Sequence, residues 1–203
     1  MNLCRFGSFV LATALAGSPA ARAQTPTIDV TFFPSGHMVA TEGKAAGQPE
    51  FRSVAPAMAV AWNVNSRIAL EGDVVGAIGV TQDLSGLGRA KTPSMLGYSG
   101  NIVANLSPRT TWQPYLAVGV GQMRMFKASG LGIGQSENIE TANAGGGVKV
   151  MFGRWGLRGD YRFIGMSSTA ENASGFFGSD VRHAHRISLG VIVSPGRERA
   201  PRG

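Results

Sequence analysis

The segment VKVMFGRWGLRGDYRF, from Val148 to Phe163, decides the fold because it holds two alternating runs joined by Gly153-Arg154. In the second run Arg158, Asp160 and Arg162 occupy every second position, with apolar or small residues between them. A period of two is that of a β-strand, in which successive side chains point to opposite faces. The segment therefore predicts a β-hairpin with one apolar and one polar face. In a soluble protein the apolar face of such a hairpin would pack in the core. In a membrane barrel it would face lipid, with the charges in the lumen.

The first 23 residues have the organisation of a secretory signal peptide. Arg5 precedes an apolar run from Phe9 to Ala16, and Ala21-Arg22-Ala23 has the small-x-small pattern of a cleavage site. The run is shorter than the roughly 20 residues of a membrane-spanning helix. Cys4 is the only cysteine and would leave with the leader. We therefore expect an exported mature chain without disulfides or thiolate chemistry.

Composition argues for strands and against nucleic-acid binding. Removal of Arg5 and Arg22 with the leader leaves 17 basic and 12 acidic residues, a net charge of +5. Several of the arginines lie near the end of the chain and no basic helix is evident, so nucleic acid is not an expected partner. The 29 glycines and the absence of a long 3.6-residue period predict an all-β protein.

The mature chain divides into eight alternating segments, each long enough for a tilted strand to cross a membrane. They are approximately 27–40, 51–63, 67–79, 95–107, 111–126, 139–152, 155–166 and 181–193. Short connections at 64–66, 108–110 and 153–154 alternate with long polar ones at 41–50, 80–94, 127–138 and 167–180. This alternation predicts an eight-stranded antiparallel up-and-down barrel with all short turns at one rim, the layout of an outer-membrane barrel. We assign residues 24–193 to the barrel and 194–203 to a polar tail.

In most segments one face is large and apolar and the other is small or polar, as in Leu116, Val118 and Val120 against Ala117 and Gly119. A soluble ligand-binding barrel would hold its large apolar residues inside, so the pattern predicts an apolar face towards lipid. Proline cannot donate to a strand ladder, so Pro56 predicts a bulge or a local break in the second strand.

Aromatic residues mark both ends of the predicted strands with outward parity. The rim with the short turns has Trp62, Trp112, Phe152 and Trp155, and the opposite rim has Tyr98, Phe126 and Phe163. Aromatic side chains favour the lipid–water boundary, where the ring is buried and its polar group stays near water. We predict that these seven residues form two membrane-interface girdles.

Three stretches, Ile68–Asp73 (IALEGD), Trp112–Gly121 (WQPYLAVGVG) and Trp155–Phe163 (WGLRGDYRF), resemble the small eight-stranded outer-membrane β-barrel superfamily of the OmpA and OmpX type, which is porin-like. The resemblance covers essentially the whole mature chain. It implies a monomeric barrel in the Gram-negative outer membrane, in contact with outer-membrane lipids and inserted by the barrel-insertion machinery. The chain departs from the family pattern at Val193, where family members commonly end on an aromatic residue.

Eight polar or charged residues have inward parity in the predicted strands. They are Glu71, Asp73, Asn101, Lys149, Arg158, Asp160, Arg162 and Arg186. The lumen of an eight-stranded barrel is just wide enough for side chains to fill, and charges away from water need partners. We expect these residues to form a lumen network that fills the barrel, in preference to lining a narrow low-conductance pore.

Other candidate sites are weak. Asp180, His183 and His185 could gather a metal, but their position beside a loop favours a hydrated rim. The glycines from Gly130 to Gly134 lack the lysine and helix of a phosphate-binding loop. His185 and Ser188 have opposite parity, which argues against hydrolytic chemistry. We predict a non-enzymatic structural or surface-interaction protein without metal or cofactor and with an unidentified loop ligand; the alternative is a soluble secreted or periplasmic barrel that binds a small apolar ligand.

Overall fold

A computed structural model of the chain describes residues 27–41, 50–84, 88–108, 110–131, 133–168 and 181–196. Eleven strands and one short 3-10 helix, Ser129–Leu131, make up the regular structure of this part of the chain. The strands are β1 (Thr27–Ala40), β2 (Phe51–Val54), β3 (Ala57–Asn63), β4 (Ile68–Gly79), β5 (Thr81–Leu84), β6 (Gly88–Lys91), β7 (Met95–Asn105), β8 (Trp112–Met125), β9 (Glu137–Phe152), β10 (Trp155–Ser168) and β11 (Arg182–Val193). Within the described residues no helix has the length and apolar character needed to cross a membrane.

Nine of these strands close into a single antiparallel ring. Strands β2 and β3 lie end to end between β1 and β4 and together form the second of eight positions around the ring, the second wall. From β4 the pairing continues in order through β7, β8, β9, β10 and β11, and β11 returns to pair with β1. With β2 and β3 counted as one interrupted strand, the ring has eight strands and no free edge. This closure confirms the predicted eight-stranded up-and-down barrel and, within a few residues, the predicted strand boundaries.

The second wall breaks where proline was expected to disturb it. Strands β2 and β3 are separated by Ala55 and Pro56, and the facing strand β1 shifts its register between Phe32 and Ser35. The Ala55 amide donates to the Gly36 carbonyl at 2.7 Å. A side chain at Gly36 would bring a Cβ within 2.3 Å of the Ala55 carbonyl oxygen, so glycine permits this close approach.

Short turns lie at one end of the barrel, hereafter the short-turn rim. In the first turn the Asn65 Oδ1 accepts from the amides of Arg67 and Ile68, each at 2.8 Å, which is a turn that asparagine favours. In the third turn Gly153 adopts a φ of 71°, in the left-handed region where glycine has no steric cost.

The opposite end, hereafter the long-loop rim, carries regular structure that the alternation pattern did not reveal. Strands β5 and β6 pair as a separate hairpin within the connection from Val80 to Ser94. Ala128 bridges to Ile133 beside the 3-10 helix. The predicted leader and most of the polar tail lie outside the described residues, so their assignments remain predictions.

Candidate functional site: a divided barrel interior

The eight residues with predicted inward parity all lie in the barrel interior. None is more than 7% exposed, and the set is Glu71, Asp73, Asn101, Lys149, Arg158, Asp160, Arg162 and Arg186. The inner faces of β4, β7, β9, β10 and β11 supply them. Burial of so many charges requires hydrogen-bonded partners, since an unpaired charge away from water is costly.

Arg158 lies at the centre of the interior ion pairs and is 1% exposed. Its guanidinium forms a bidentate pair with Glu71, with Nη1 on Oε2 and Nη2 on Oε1, the latter at 3.1 Å. Nη2 also donates to Asp160 Oδ2 at 3.0 Å, and Nε donates to the Tyr115 hydroxyl at 2.8 Å. The planar guanidinium suits this arrangement because it presents several donors in fixed directions.

Two further arginines extend this network. Arg162 donates from Nη2 to Glu71 at 3.1 Å and from Nε to Asp160 at 3.0 Å. Arg186 donates from Nη2 to Asp73 at 2.8 Å, and the same nitrogen lies 3.8 Å from Asp160 Oδ1. Three arginines and three carboxylates therefore form one connected cluster across β4, β10 and β11, and their charges balance. We call these six residues the ion cluster.

Three polar side chains that the sequence reasoning did not single out complete the surroundings of the ion cluster. Tyr115 is 1% exposed and donates its hydroxyl proton to Asp160. Asn143 accepts from Arg162 Nη1 at 3.0 Å, and Ser99 donates to Asp73. The parity of Leu116 already placed Tyr115 on the inner face, so that residue was detectable from the sequence.

Lys149 lies between the ion cluster and the short-turn rim. Its ammonium donates to Asn105 Oδ1 at 3.3 Å and lies 5.3 Å from the centre of the Tyr115 ring. Arg158 also lies over that ring, at 4.6 Å. The Tyr115 ring therefore contacts both cations, and its hydroxyl also binds Arg158, so Tyr115 links Lys149 to the ion cluster.

The long-loop half of the interior is mainly apolar, with Arg182 and Glu137 also buried there opposite Met166 and Met125, and this differs from the expected polar filling of the whole lumen. Five methionines dominate it, each no more than 3% exposed: Met38, Met95, Met123, Met125 and Met166. Ile139, Ile164 and Phe51 pack with these methionines, and we call the eight residues the methionine cluster. Alternation reports which face a residue occupies but not what fills each depth of the lumen. Unbranched methionine adapts to such an irregular space.

Residues from the long loops close this apolar half. Leu84 of the β5–β6 hairpin and Ile133 beyond the 3-10 helix are buried in the methionine cluster. A cavity of about 20 Å³, large enough for about one water molecule, lies between the methionine cluster and the ion cluster. Asp73, Arg162 and Arg186 are among the residues that line it. The described interior is thus packed at both levels.

The outer surface carries the large apolar side chains. Exposed residues in the middle of the walls include Leu70, Ile102, Val118, Val120 and Leu189, at 44–69%. The aromatic residues with predicted outward parity are also exposed: Trp62, Trp112, Phe152 and Trp155 towards the short-turn rim, and Tyr98, Phe126 and Phe163 towards the long-loop rim. A contiguous band of large exposed apolar side chains around a closed barrel marks a surface for membrane or protein contact.

Among the described residues, the weaker candidates are not arranged as a metal site or as a serine–histidine pair. His183 and His185 face outward, whereas Ser188 is buried inside. Asp180 and Gly132 lie outside the described residues. Across the described ranges no three histidine, cysteine, aspartate or glutamate side chains are grouped to hold a metal ion.

Comparison with known proteins supports the fold. No protein-family model and no curated protein sequence matches the chain. Neisserial surface protein A has a similar structure, with 11% identity, a TM-score of 0.56, and coverage of 83% of this chain and 96% of that one. The N-terminal β-barrel domain of Pseudomonas aeruginosa OprF is similar at 10% identity and a TM-score of 0.52, with the same coverage. These matches confirm, at the level of fold, the resemblance to the small eight-stranded barrels.

Proposed function

From this shared barrel fold we propose that the chain is an integral outer-membrane protein whose barrel is a sealed, non-catalytic scaffold. The observation that carries the proposal is the inversion of the usual pattern of burial. Three arginines and three carboxylates are buried inside the barrel, while leucine, isoleucine and valine side chains cover the middle of its outer face. In a bilayer both arrangements become favourable, because lipid covers the apolar band and the ions pair inside.

The alternative of a soluble ligand-binding barrel is less well supported. Such a barrel needs an interior cavity of roughly 300–1,000 Å³ lined by apolar side chains. The interior cavity between the methionine and ion clusters measures about 20 Å³. The larger depressions, of about 650 and 670 Å³, involve outward-facing residues such as Leu70, Tyr98 and Val120 on the outside of the wall.

The alternative of a narrow pore requires a continuous water-filled path. Met123, Met125 and Met166 are at most 3% exposed and pack against Leu84 and Ile133 of the long loops. Below them the guanidinium groups of the ion cluster occupy the lumen. This packing favours a closed barrel, consistent with the small diameter that eight strands allow.

The proposed role is structural or surface interaction through the long loops. The hairpin β5–β6 and the 3-10 helix lie in the described parts of these loops, and Arg89, Lys91 and Lys127 are exposed there. We propose outer-membrane lipids and the barrel-insertion machinery as partners, with an unidentified ligand at the loops. No group of side chains among the described residues suggests a catalytic centre.

Cell fractionation and gel mobility test the location. Expressed in a Gram-negative bacterium, the protein is expected to remain in the outer-membrane fraction after an alkaline wash. It should also migrate differently on a gel when it is not heated, because a closed barrel resists unfolding by detergent. Recovery as a detergent-free soluble protein with equal mobility of heated and unheated samples would contradict the proposal.

Planar-bilayer recording tests the sealed barrel separately. The inserted wild type is expected to show no stepwise conductance. A matched variant, Met125→Asp, places a charge in the apolar half, and conductance that arises only in this variant would support the methionine cluster as the seal. Stepwise conductance of the wild type would instead support the narrow pore.

A further inference from the structure

All three histidines of the chain lie on one sector of the outer wall, near the long-loop rim. His37 is on β1, and His183 and His185 are on the neighbouring strand β11. His37 and His183 are exposed and His185 is half-buried. In the β1–β11 register His185 is opposite Val39, so His37 is its diagonal neighbour, about 7–8 Å away between Cα atoms. We call these three residues the imidazole patch.

Aromatic side chains of β10 hold two of the imidazoles. The Phe163 ring stacks on His183 with centroids 5.1 Å apart and meets the edge of His185 at 5.4 Å. The Tyr161 hydroxyl lies 2.8 Å from Nδ1 of His185. This hydrogen bond engages Nδ1 and leaves Nε2 without a protein partner among the described residues.

The charges around the imidazole patch favour an anion. In the described parts of β1, β10 and β11, the outward positions carry no carboxylate. The adjoining strand β2 contributes Arg52, opposite Val39, and Arg52 is paired with Glu50 at 2.6 Å. Tyr161 is the other titratable group in contact with the patch. Among the described residues of β2 and its entry, the Glu50 carboxylate is therefore engaged by Arg52.

Apolar residues continue from the imidazole patch towards the middle of the wall. Ile187, Leu189 and Val191 follow His185 on the outward face of β11, and all three are exposed. An acyl chain can lie along such a row while the head group of the same molecule stays at the rim. The surface thus presents nitrogen donors at the rim and hydrocarbon below them.

We propose that the imidazole patch binds the phosphate of an acidic membrane lipid whose acyl chain lies along Ile187, Leu189 and Val191. This inference rests on the proposed membrane location. Histidine is the side chain whose charge responds to pH near neutrality, and a charged donor makes a stronger hydrogen bond to phosphate than a neutral one. Lipid binding at the patch therefore strengthens on acidification.

Binding of fluorescent phosphatidylglycerol tests the inference. The full-length protein is purified in a neutral detergent, and a heat-dependent gel shift first verifies the folded barrel. The phosphodiester of this lipid keeps one negative charge over the range used, so a change in affinity reports on the protein. We expect binding about tenfold tighter at about pH 5 than at about pH 8, a few-fold for each imidazolium, and no such change for phosphatidylcholine.

Two variants separate the patch from general surface charge. His183→Gln with His185→Gln is expected to reduce the pH dependence to the few-fold change that His37 alone can give, while the heat shift is retained. Arg124→Gln removes an exposed cation of β8, in a different sector near Glu140, and should leave the pH dependence intact.

Equal binding of both lipids by the wild type, or an equal loss in the two variants, overturns the inference. If the wild type lacks the heat shift, both the location and this inference fail; a heat-shifted barrel without lipid preference refutes the inference alone.

Discussion

Replacement of Arg158 by leucine tests whether the ion cluster holds the barrel together. The change removes four contacts, two with Glu71 and one each with Asp160 and Tyr115, from a side chain that is 1% exposed. Removal of one partner from a buried pair typically costs about 3–5 kcal/mol, because the other charge stays buried. Arg162 still contacts both carboxylates, so we expect a loss near the lower end, about 3 kcal/mol.

Urea unfolding in detergent micelles measures this loss, with tryptophan fluorescence and the heat shift as two independent readouts. Arg154→Leu is the matched control, since Arg154 is exposed in the turn of the same hairpin and a surface change should stay within about 0.5 kcal/mol. Removal of Glu71 together with Arg158, as a double leucine variant, should cost less than the sum of the single variants by about 1–3 kcal/mol. Equal stability of Arg158→Leu and the wild type would show that the cluster does not stabilise the barrel.

Three further predictions concern the wall and the apolar half. Gly147→Ala should destabilise the barrel by about 1–3 kcal/mol in urea, because the new Cβ would come within 1.9 Å of the Gly159 carbonyl oxygen, whereas Gly159→Ala meets nothing within 4 Å and should unfold like the wild type. Val118→Arg, in the middle of the outer apolar band, should cost about 2–4 kcal/mol in lipid vesicles, against at most about 1 kcal/mol for Ser167→Arg near the rim; equal costs would argue against a lipid-facing wall. Met125→Ala should lower the free energy of unfolding in urea by about 2–5 kcal/mol. An unchanged urea midpoint would mean that the methionine cluster is loosely packed.

Strand order and the facing of side chains could be predicted from the sequence because both follow from local patterns. The period of two around Arg158, Asp160 and Arg162 fixes which side chains share a face, and the lengths of the connections fix the up-and-down order. Pro56 predicted the break in the second wall for an equally local reason, the missing amide proton.

The side-chain contacts inside the lumen were harder to predict from the sequence, because they depend on which residues of different strands meet at the same depth. The pairing of Arg158 with Glu71 joins residues 87 positions apart, and no local pattern specifies that partner. The methionine cluster combines inner-face residues of six strands, and Leu84 and Ile133 from the long connections pack against it. The contact of Tyr161 with His185 likewise depends on the register of β10 against β11, which the turn and loop lengths alone do not give.

The placement of the outer wall in lipid is the central claim, and quenching of tryptophan fluorescence by brominated lipids tests it most directly. Trp62, Trp112 and Trp155 all point outward at the short-turn rim and are at least 50% exposed. In vesicles, lipids brominated near the head group should quench their emission strongly, and lipids brominated at the chain end should quench it less. Emission that neither lipid quenches would contradict a barrel whose wall faces the bilayer.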